Sequence, residues 1–420
     1  MSKRLKQTAA VLALLLILVG GAGGAKASDV SKSSLLGTNY DSPPPVACSN
    51  LDVIFIVDQS ASMQRTDPTV NREYAVEGMI DLLVDLAINQ CPDSYHRVGV
   101  ISFGSEYDTH IDVPLYDIDP ATSTDARRIR DYLREKVKAA NLGTTYPEPA
   151  FLEAYRMFNQ SMLDSSQPRK KVIIFITDGL PCKPGKECDE STNYVDTTAH
   201  LRSEIEKRFP FSSDLKKRED CLFNVRRNYP ETLPAEKTTA CLEDNPVADS
   251  SYSNSTYIYT LLLYNFDDVF NEEAVAQLNE ISREHAGELF KNQSKQQIPS
   301  NLRKILSHLV GVRPTLLTGP NFAVNPYLNK LIVTAYKQSE EVDLVLSYTD
   351  VNGKLHSIQN GQVTDGFILD PDNGYYRFGA NERYAILNPY PGVWSMSTSN
   401  PNGLDVYYSN SKSENLEEMW

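Results

Sequence analysis

Two apolar runs, residues 53–57 and 172–176, stop at or just before an aspartate, Asp58 in the first case and Asp178 in the second. A short, continuous apolar run bounded by polar residues is the pattern of a strand buried on both faces of a parallel sheet. Helical spacings alternate with such runs. Residues 73–89 repeat apolar positions at Tyr74, Ala75, Met79, Ile80, Leu83 and Leu86, and 125–139, 148–161, 272–285 and 298–310 have the same period. Further strand runs lie at 97–103, 256–264 and 288–290. Residues 110–115 fit an edge strand, because Pro114 cannot donate to a central ladder. Strands alternating with helices leave few solutions, and the expected one is α/β: a doubly wound, mostly parallel sheet covered on both faces.

In such a sheet, ligands sit at the carboxyl ends of the strands. Asp58, Ser60 and Ser62 follow the first run at alternate positions, and Asp178-Gly179 ends the second. Between them lies a glycine-containing, hydroxyl-rich loop, Asn141-Leu-Gly143-Thr144-Thr145. Carboxylates and hydroxyls are hard oxygen donors and suit a small divalent cation. Asp and Ser ahead of a helix also serve as N-caps, so the first segment alone admits both roles. The three segments together form a far more specific set.

Over residues 49–311 the chain resembles the von Willebrand factor type A domain family, a Rossmann-like fold. The resemblance is carried by Asp58-Gln-Ser60-Ala-Ser62, Gly143-Thr144-Thr145 and Ile176-Thr-Asp178-Gly179, in the family's order. It implies a metal-ion-dependent adhesion site. Ser60, Ser62 and a threonine would ligate Mg²⁺ directly, with Mn²⁺ or Ca²⁺ as alternatives. Asp58 and Asp178 would act largely through water. Thr144 is the first choice of threonine because it follows Gly143, and Thr145 is the alternative because Pro147 shifts the register by one residue. Thr177 and Ser102 are not assigned to metal. The resemblance further implies that a carboxylate of an extracellular protein partner completes the open coordination position.

Residues 1–27 read as a signal peptide: basic at Lys3, Arg4 and Lys6, apolar over 9–19, and ending in Ala25-Lys-Ala27. The apolar stretch is short for a membrane span, and no second stretch of spanning length follows, so the mature chain is expected to be secreted or held at the cell surface. The 41 basic and 55 acidic residues give −14. Without the four basic residues of the leader, 37 against 55 leaves −18. That acidity argues against nucleic acid and anionic membrane as partners.

Six cysteines, Cys48, Cys91, Cys182, Cys188, Cys221 and Cys241, behind a signal peptide read as disulfides. Cys48–Cys91, Cys182–Cys188 and Cys221–Cys241 are sensible pairs, with cross-pairing among the last four open. Residues 28–47 read as a Ser-, Gly- and Pro-rich linker, and 48–311 as the α/β domain. An insertion over 180–253, with a helix expected over 195–209 that carries Leu201, Ile205 and Phe209 on one side, is either a specificity element at the binding end or plain decoration. Its stretch 216–220 is expected to be a solvated face. Sequons occur at Asn159, Asn254 and Asn292.

Residues 315–410 carry short alternating strands separated by Asn-Gly turns, which predicts an antiparallel β-sandwich, immunoglobulin-like in its Pro391-Gly-Val-Trp394 turn. Trp394 is expected in its core, and 411–420 as a polar tail. With no metallohydrolase, nucleophile-elbow or Walker motif, a non-enzymatic adhesion protein is the leading expectation. A structural component of an extracellular layer or complex is the alternative, and a metal-dependent hydrolase the third reading.

Overall fold

The computed structural model describes residues 49–67, 71–89, 94–118, 142–164, 169–182, 191–228, 234–247, 251, 254–263, 271–292, 297–310, 315–316, 320–324, 326, 328–336, 342–363, 367–371, 374–378, 381–398 and 405–412. The expected leader, the linker, the helix over 125–139, and Cys48, Cys91 and Cys188 lie outside the described residues.

Six strands, β1 (Asn50–Asp58), β2 (His96–Phe103), β3 (His110–Ile118), β4 (Arg169–Thr177), β5 (Thr256–Leu263) and β6 (Leu289–Asn292), form one sheet in the order β3-β2-β1-β4-β5-β6. All neighbours are parallel except β3, which runs antiparallel to β2 at the edge that Pro114 marks. The chain passes from β1 to β2 on one side and returns to β4 on the other. The strand order therefore reverses at β1, and a crevice opens there beyond the carboxyl ends.

Residues of β1 alternate between two cores. Val53, Phe55 and Val57 pack with α2 (Asn71–Asn89) and α8 (Gln297–Val310). Ile54 and Ile56 pack with α3 (Glu148–Asp164), α4 (Ser191–Arg208) and α7 (Glu272–Glu284). All five are fully buried, each contributing about 1.5–3 kcal/mol for removal from water. This is why the run is continuous rather than alternating: a parallel strand with helices on both sides has no wet face.

The expected insertion divides into two parts. Helix α4 is a covering helix of the sheet, since Leu201, Ile205 and the following Phe209 lie in the second core. Helices α5 (Ser213–Asn228) and α6 (Ala235–Asp244) are joined by the Cys221–Cys241 disulfide. They lie at the amino end of β5, where the Ser212 N–H donates to the Ser255 hydroxyl (3.1 Å). Glu219 of α5 accepts hydrogen bonds from the hydroxyl of Tyr257, at the start of β5 (3.1 Å), and from Nε2 of His308 on α8 (2.9 Å). Glu219 is buried, so the stretch 216–220 is not simply the solvated face its charges suggest.

The C-terminal strands build two antiparallel sheets. One runs β12 (Gln362–Val363), β11 (Leu355–Gln359), β10 (Leu344–Thr349), β16 (Gly392–Thr398) and β8 (Asn321–Val324). The other runs β13 (Ile368–Leu369), β15 (Asn381–Leu387), β9 (Leu328–Tyr336), β17 (Asp405–Lys412) and β7 (Thr315–Leu316), with β14 (Tyr375–Phe378) paired to β15. Leu331 and Val333 of one sheet and Leu344, Leu346 and Trp394 of the other share a core, which makes this a sandwich. Trp394 is fully buried against Phe322, Tyr348 and Phe367, and its indole N–H donates to the Tyr390 carbonyl (2.9 Å). Strand β17 continues to Lys412, two residues into the expected tail.

Candidate metal centre

At the carboxyl end of β1, Asp58 is fully buried and points back onto its own loop. Its Oδ1 accepts the Ser60 N–H (2.8 Å) and its Oδ2 accepts the Thr177 hydroxyl (2.6 Å). Ser62 stands at the N-cap of α1 (Met63–Thr66), yet its side chain makes no capping bond. The hydroxyl turns instead to the Ser60 hydroxyl (2.9 Å) and donates to Asp178 Oδ1 (3.0 Å). Of the two roles open to this turn, the Ser62 side chain takes the inward one.

The threonine that reaches this group is Thr145, not Thr144. The buried Thr145 hydroxyl donates to Ser60 Oγ (3.2 Å), whereas Thr144 is exposed and its backbone N–H donates to Ser105 Oγ (3.0 Å). The register follows from the loop's main chain. Gly143 adopts φ of 78°, its carbonyl accepts the Ala61 N–H (2.9 Å), and the Tyr146 N–H is fixed to the Gly104 carbonyl (2.8 Å). Pro147 then opens α3, its carbonyl accepting the N–H groups of Ala150 and Phe151. With both ends pinned, the chain turns Thr144 outward and Thr145 inward.

Ser60, Ser62, Thr145, Asp58 and Asp178 thus meet at the strand-order reversal. Two further hydroxyls, which sequence reasoning did not assign to the site, support them. Thr177 holds Asp58, and Thr66 bonds Asp178 Oδ2. Thr66 lies one helical turn beyond Ser62, and that i, i+4 spacing is the sequence signal that could have found it.

The donor set fits a small octahedral cation. Adjacent ligands at Mg²⁺–oxygen distances of 2.0–2.1 Å lie about 2.9 Å apart. The Ser60–Ser62 and Ser60–Thr145 hydroxyl oxygen separations are 2.9 and 3.2 Å. Electrostatics point the same way. Burial raises the Asp58 carboxyl above its usual range, against the hydrogen bonds from Ser60 and Thr177. Burial, and then the charge of Asp58, pushes Asp178 up to about 7. Two buried carboxylates sharing one pocket repel, and a divalent cation between them would relieve the strain on both.

Residues 53–180 match the von Willebrand factor type A domain family. The chain carries a von Willebrand factor type A domain. The match runs from within β1 to the loop after β4, and so includes the three segments that carry Asp58, Ser60, Ser62, Thr145 and Asp178. No curated protein matches the chain significantly. Among solved structures it is similar to the pilus adhesin SpaC of Lactobacillus rhamnosus GG, at 12% identity and a TM-score of 0.37, over 86% of this chain and 39% of that one. The pilus adhesin RrgA of Streptococcus pneumoniae is 11% identical with a TM-score of 0.35, over 87% and 57%. Proximal thread matrix protein 1 of the mussel byssus, with a zinc-occupied MIDAS motif, is 12% identical with a TM-score of 0.35, over 68% and 52%. The chain spans less than two thirds of the length of each of these structures.

Proposed function

We propose that this protein is a secreted or cell-surface adhesion protein whose type A domain holds a Mg²⁺-type cation and binds an acidic group of a protein partner. The observation that carries this reading is the convergence of three hydroxyls and two buried carboxylates at the strand-order reversal of a type A sheet. Ser60, Ser62 and Thr145 would hold the cation directly, with Asp58 and Asp178 acting through water. When bound, the cation supplies a Lewis-acid position that a partner's carboxylate fills. The protein's own contribution is to hold the hydroxyls rigid and to keep the two carboxylates where their charge balances the cation. The reading is one of binding, not turnover.

Exterior placement is supported by the basic-then-apolar start ending in Ala25-Lys-Ala27, and by the Cys221–Cys241 disulfide, which belongs to an oxidising compartment. Among the described residues no helix is long and apolar enough to cross a membrane. We place the type A domain at 48–311 and the sandwich at 315–410.

The test is binding of the purified protein to a panel of immobilised extracellular proteins, read by biolayer interferometry in Mg²⁺ and in EDTA. At least one ligand is expected to lose tenfold or more of its affinity in EDTA and in Ser60→Ala. Binding that survives both treatments would sink the proposal.

A further inference from the structure

The loop after β4 approaches the threonine loop at two points. At Gly179, a Cβ would lie 3.3 Å from the Thr145 hydroxyl oxygen, so the absence of a side chain there lets the two loops close. Three residues on, the backbone N–H of Cys182 donates to the carbonyl of Thr145 (2.7 Å). Cys182 is buried and disulfide-bonded. Its partner lies outside the described residues, because the other two described cysteines, Cys221 and Cys241, pair with each other. Other main-chain ties of the threonine loop run to the β1 and β2 loops, among them the bond from the Ser105 N–H to the Leu142 carbonyl (2.6 Å). Leu142 N–H donates to the Gln59 carbonyl (2.9 Å), Ala61 N–H to the Gly143 carbonyl (2.9 Å), and Tyr146 N–H to the Gly104 carbonyl (2.8 Å). The bond from Cys182 therefore joins the threonine side of the site to the Asp178 side, and a covalent bridge anchors the donor.

We propose that the disulfide at Cys182 makes it a positioning residue of the metal centre: it fixes the carbonyl of Thr145 and thereby aims the Thr145 hydroxyl at Ser60. The inference rests on the metal-site reading above. A disulfide restricts the backbone of the residues it joins, and a hydrogen bond between two restrained segments loses less entropy than one between free loops. Opening the bridge leaves the sequence of the site intact but frees one wall of it. The chemistry is thiol–disulfide exchange with a dithiol. One thiolate attacks a bridge sulfur to give a mixed disulfide and releases a cysteine thiolate. The second thiolate displaces the other cysteine, leaving two protein thiols and a cyclic oxidised reductant, a two-electron transfer. The site then loses its brace and not its ligands.

The experiment compares Mn²⁺ dissociation constants, from the electron paramagnetic resonance signal of free Mn²⁺, in full-length wild type, Cys182→Ser and the Cys221→Ser/Cys241→Ser double variant. All are measured as monomers well below their melting temperatures. Serine keeps the backbone N–H but releases it from the bridge, and the weakening of that one hydrogen bond predicts about three- to tenfold weaker Mn²⁺ binding in Cys182→Ser. The double variant is expected to melt at lower temperature yet bind Mn²⁺ like wild type, which a merely structural role for Cys182 would not distinguish. If Cys182→Ser does not fold, stepwise dithiothreitol treatment of the folded double variant provides the comparison. Thiol alkylation and peptide mapping score which of its two remaining bridges has opened, and the same weakening is expected on opening at Cys182. Equal dissociation constants before and after the bridge is opened overturn the brace and leave the metal reading standing. Absence of Mn²⁺ binding in oxidised wild type overturns the metal reading and the brace with it.

Discussion

Thr144 and Thr145 are adjacent and chemically identical, and what separates them is the direction in which a pinned loop turns each side chain. Thr145→Ala is therefore expected to weaken Mg²⁺ or Mn²⁺ binding at least tenfold, and Thr144→Ala to leave it within twofold, as measured by calorimetric titration. The reverse result would return the assignment to the residue next to Gly143. A second residue-scale expectation concerns His96, fully buried at the amino end of β2. Its Nδ1 accepts the Leu51 N–H (3.3 Å) and its Nε2 lies 3.1 Å from the Ser94 hydroxyl, an arrangement satisfied by the neutral ring. Burial, and then the charge of Arg169, lowers it from 6.5 to about 4, against the charge of Asp52. The folded state thus holds fewer protons than the unfolded one between these values, so the His96 contribution is present above pH 6.5 and is lost as pH falls towards 4. The shift corresponds to about 3 kcal/mol. Urea unfolding of wild type and His96→Gln should show the difference in their stabilities falling by roughly that amount between pH 7 and pH 3.5. A pH-independent difference would refute the neutral buried ring.

Among the elements, those with strong periodicity were legible from sequence. The β1 and β4 runs, the apolar stripes of α2, α3, α7 and α8, and the edge strand carrying Pro114 all stand where their patterns place them. Helix α4 was legible from the helical spacing of Leu201, Ile205 and Phe209, and the fold adds that these residues seat it on the sheet. Leu201→Ala is expected to cost about 2–5 kcal/mol in chemical unfolding, a core-helix penalty that a dangling insertion would not show. Legibility failed where charge hides a buried group. In α5, Glu219 reads as one charge among several, yet it joins Tyr257 and His308. Only a fold that brings β5 and α8 beside it reveals that role. The short sheet-edge strands β7, β12 and β13 were missed for a related reason: two residues have no period to detect.

For the molecule as a whole, the proposed metal site and the sandwich draw on separate cores. A cation that binds only the folded type A domain should stabilise that domain by about 2.7 kcal/mol at a free concentration one hundred times its dissociation constant. Differential scanning calorimetry with and without Mg²⁺ is expected to move one transition upward and leave the other in place. Trp394→Ala should do the converse, destabilising the sandwich by about 3–5 kcal/mol with Mn²⁺ affinity unchanged. A Mg²⁺-dependent shift of both transitions would mean that the two parts melt as one unit.

The order of apolar runs and helical stripes was enough to determine a doubly wound α/β sheet and to put Asp58 and Asp178 at the carboxyl ends of its central strands. Burial on two faces writes itself into a strand as an unbroken apolar run, and local periodicity carries that information. The sequence also named the hydroxyl-bearing loops. Only the tertiary structure decided which threonine turns inward, that Thr66 and Thr177 support the carboxylates, that Cys182 ties the two sides of the site together, and that α5 and α6 lie away from it. Those facts depend on the approach of segments 37 to 119 residues apart, and a contact over such a span leaves no period in the chain.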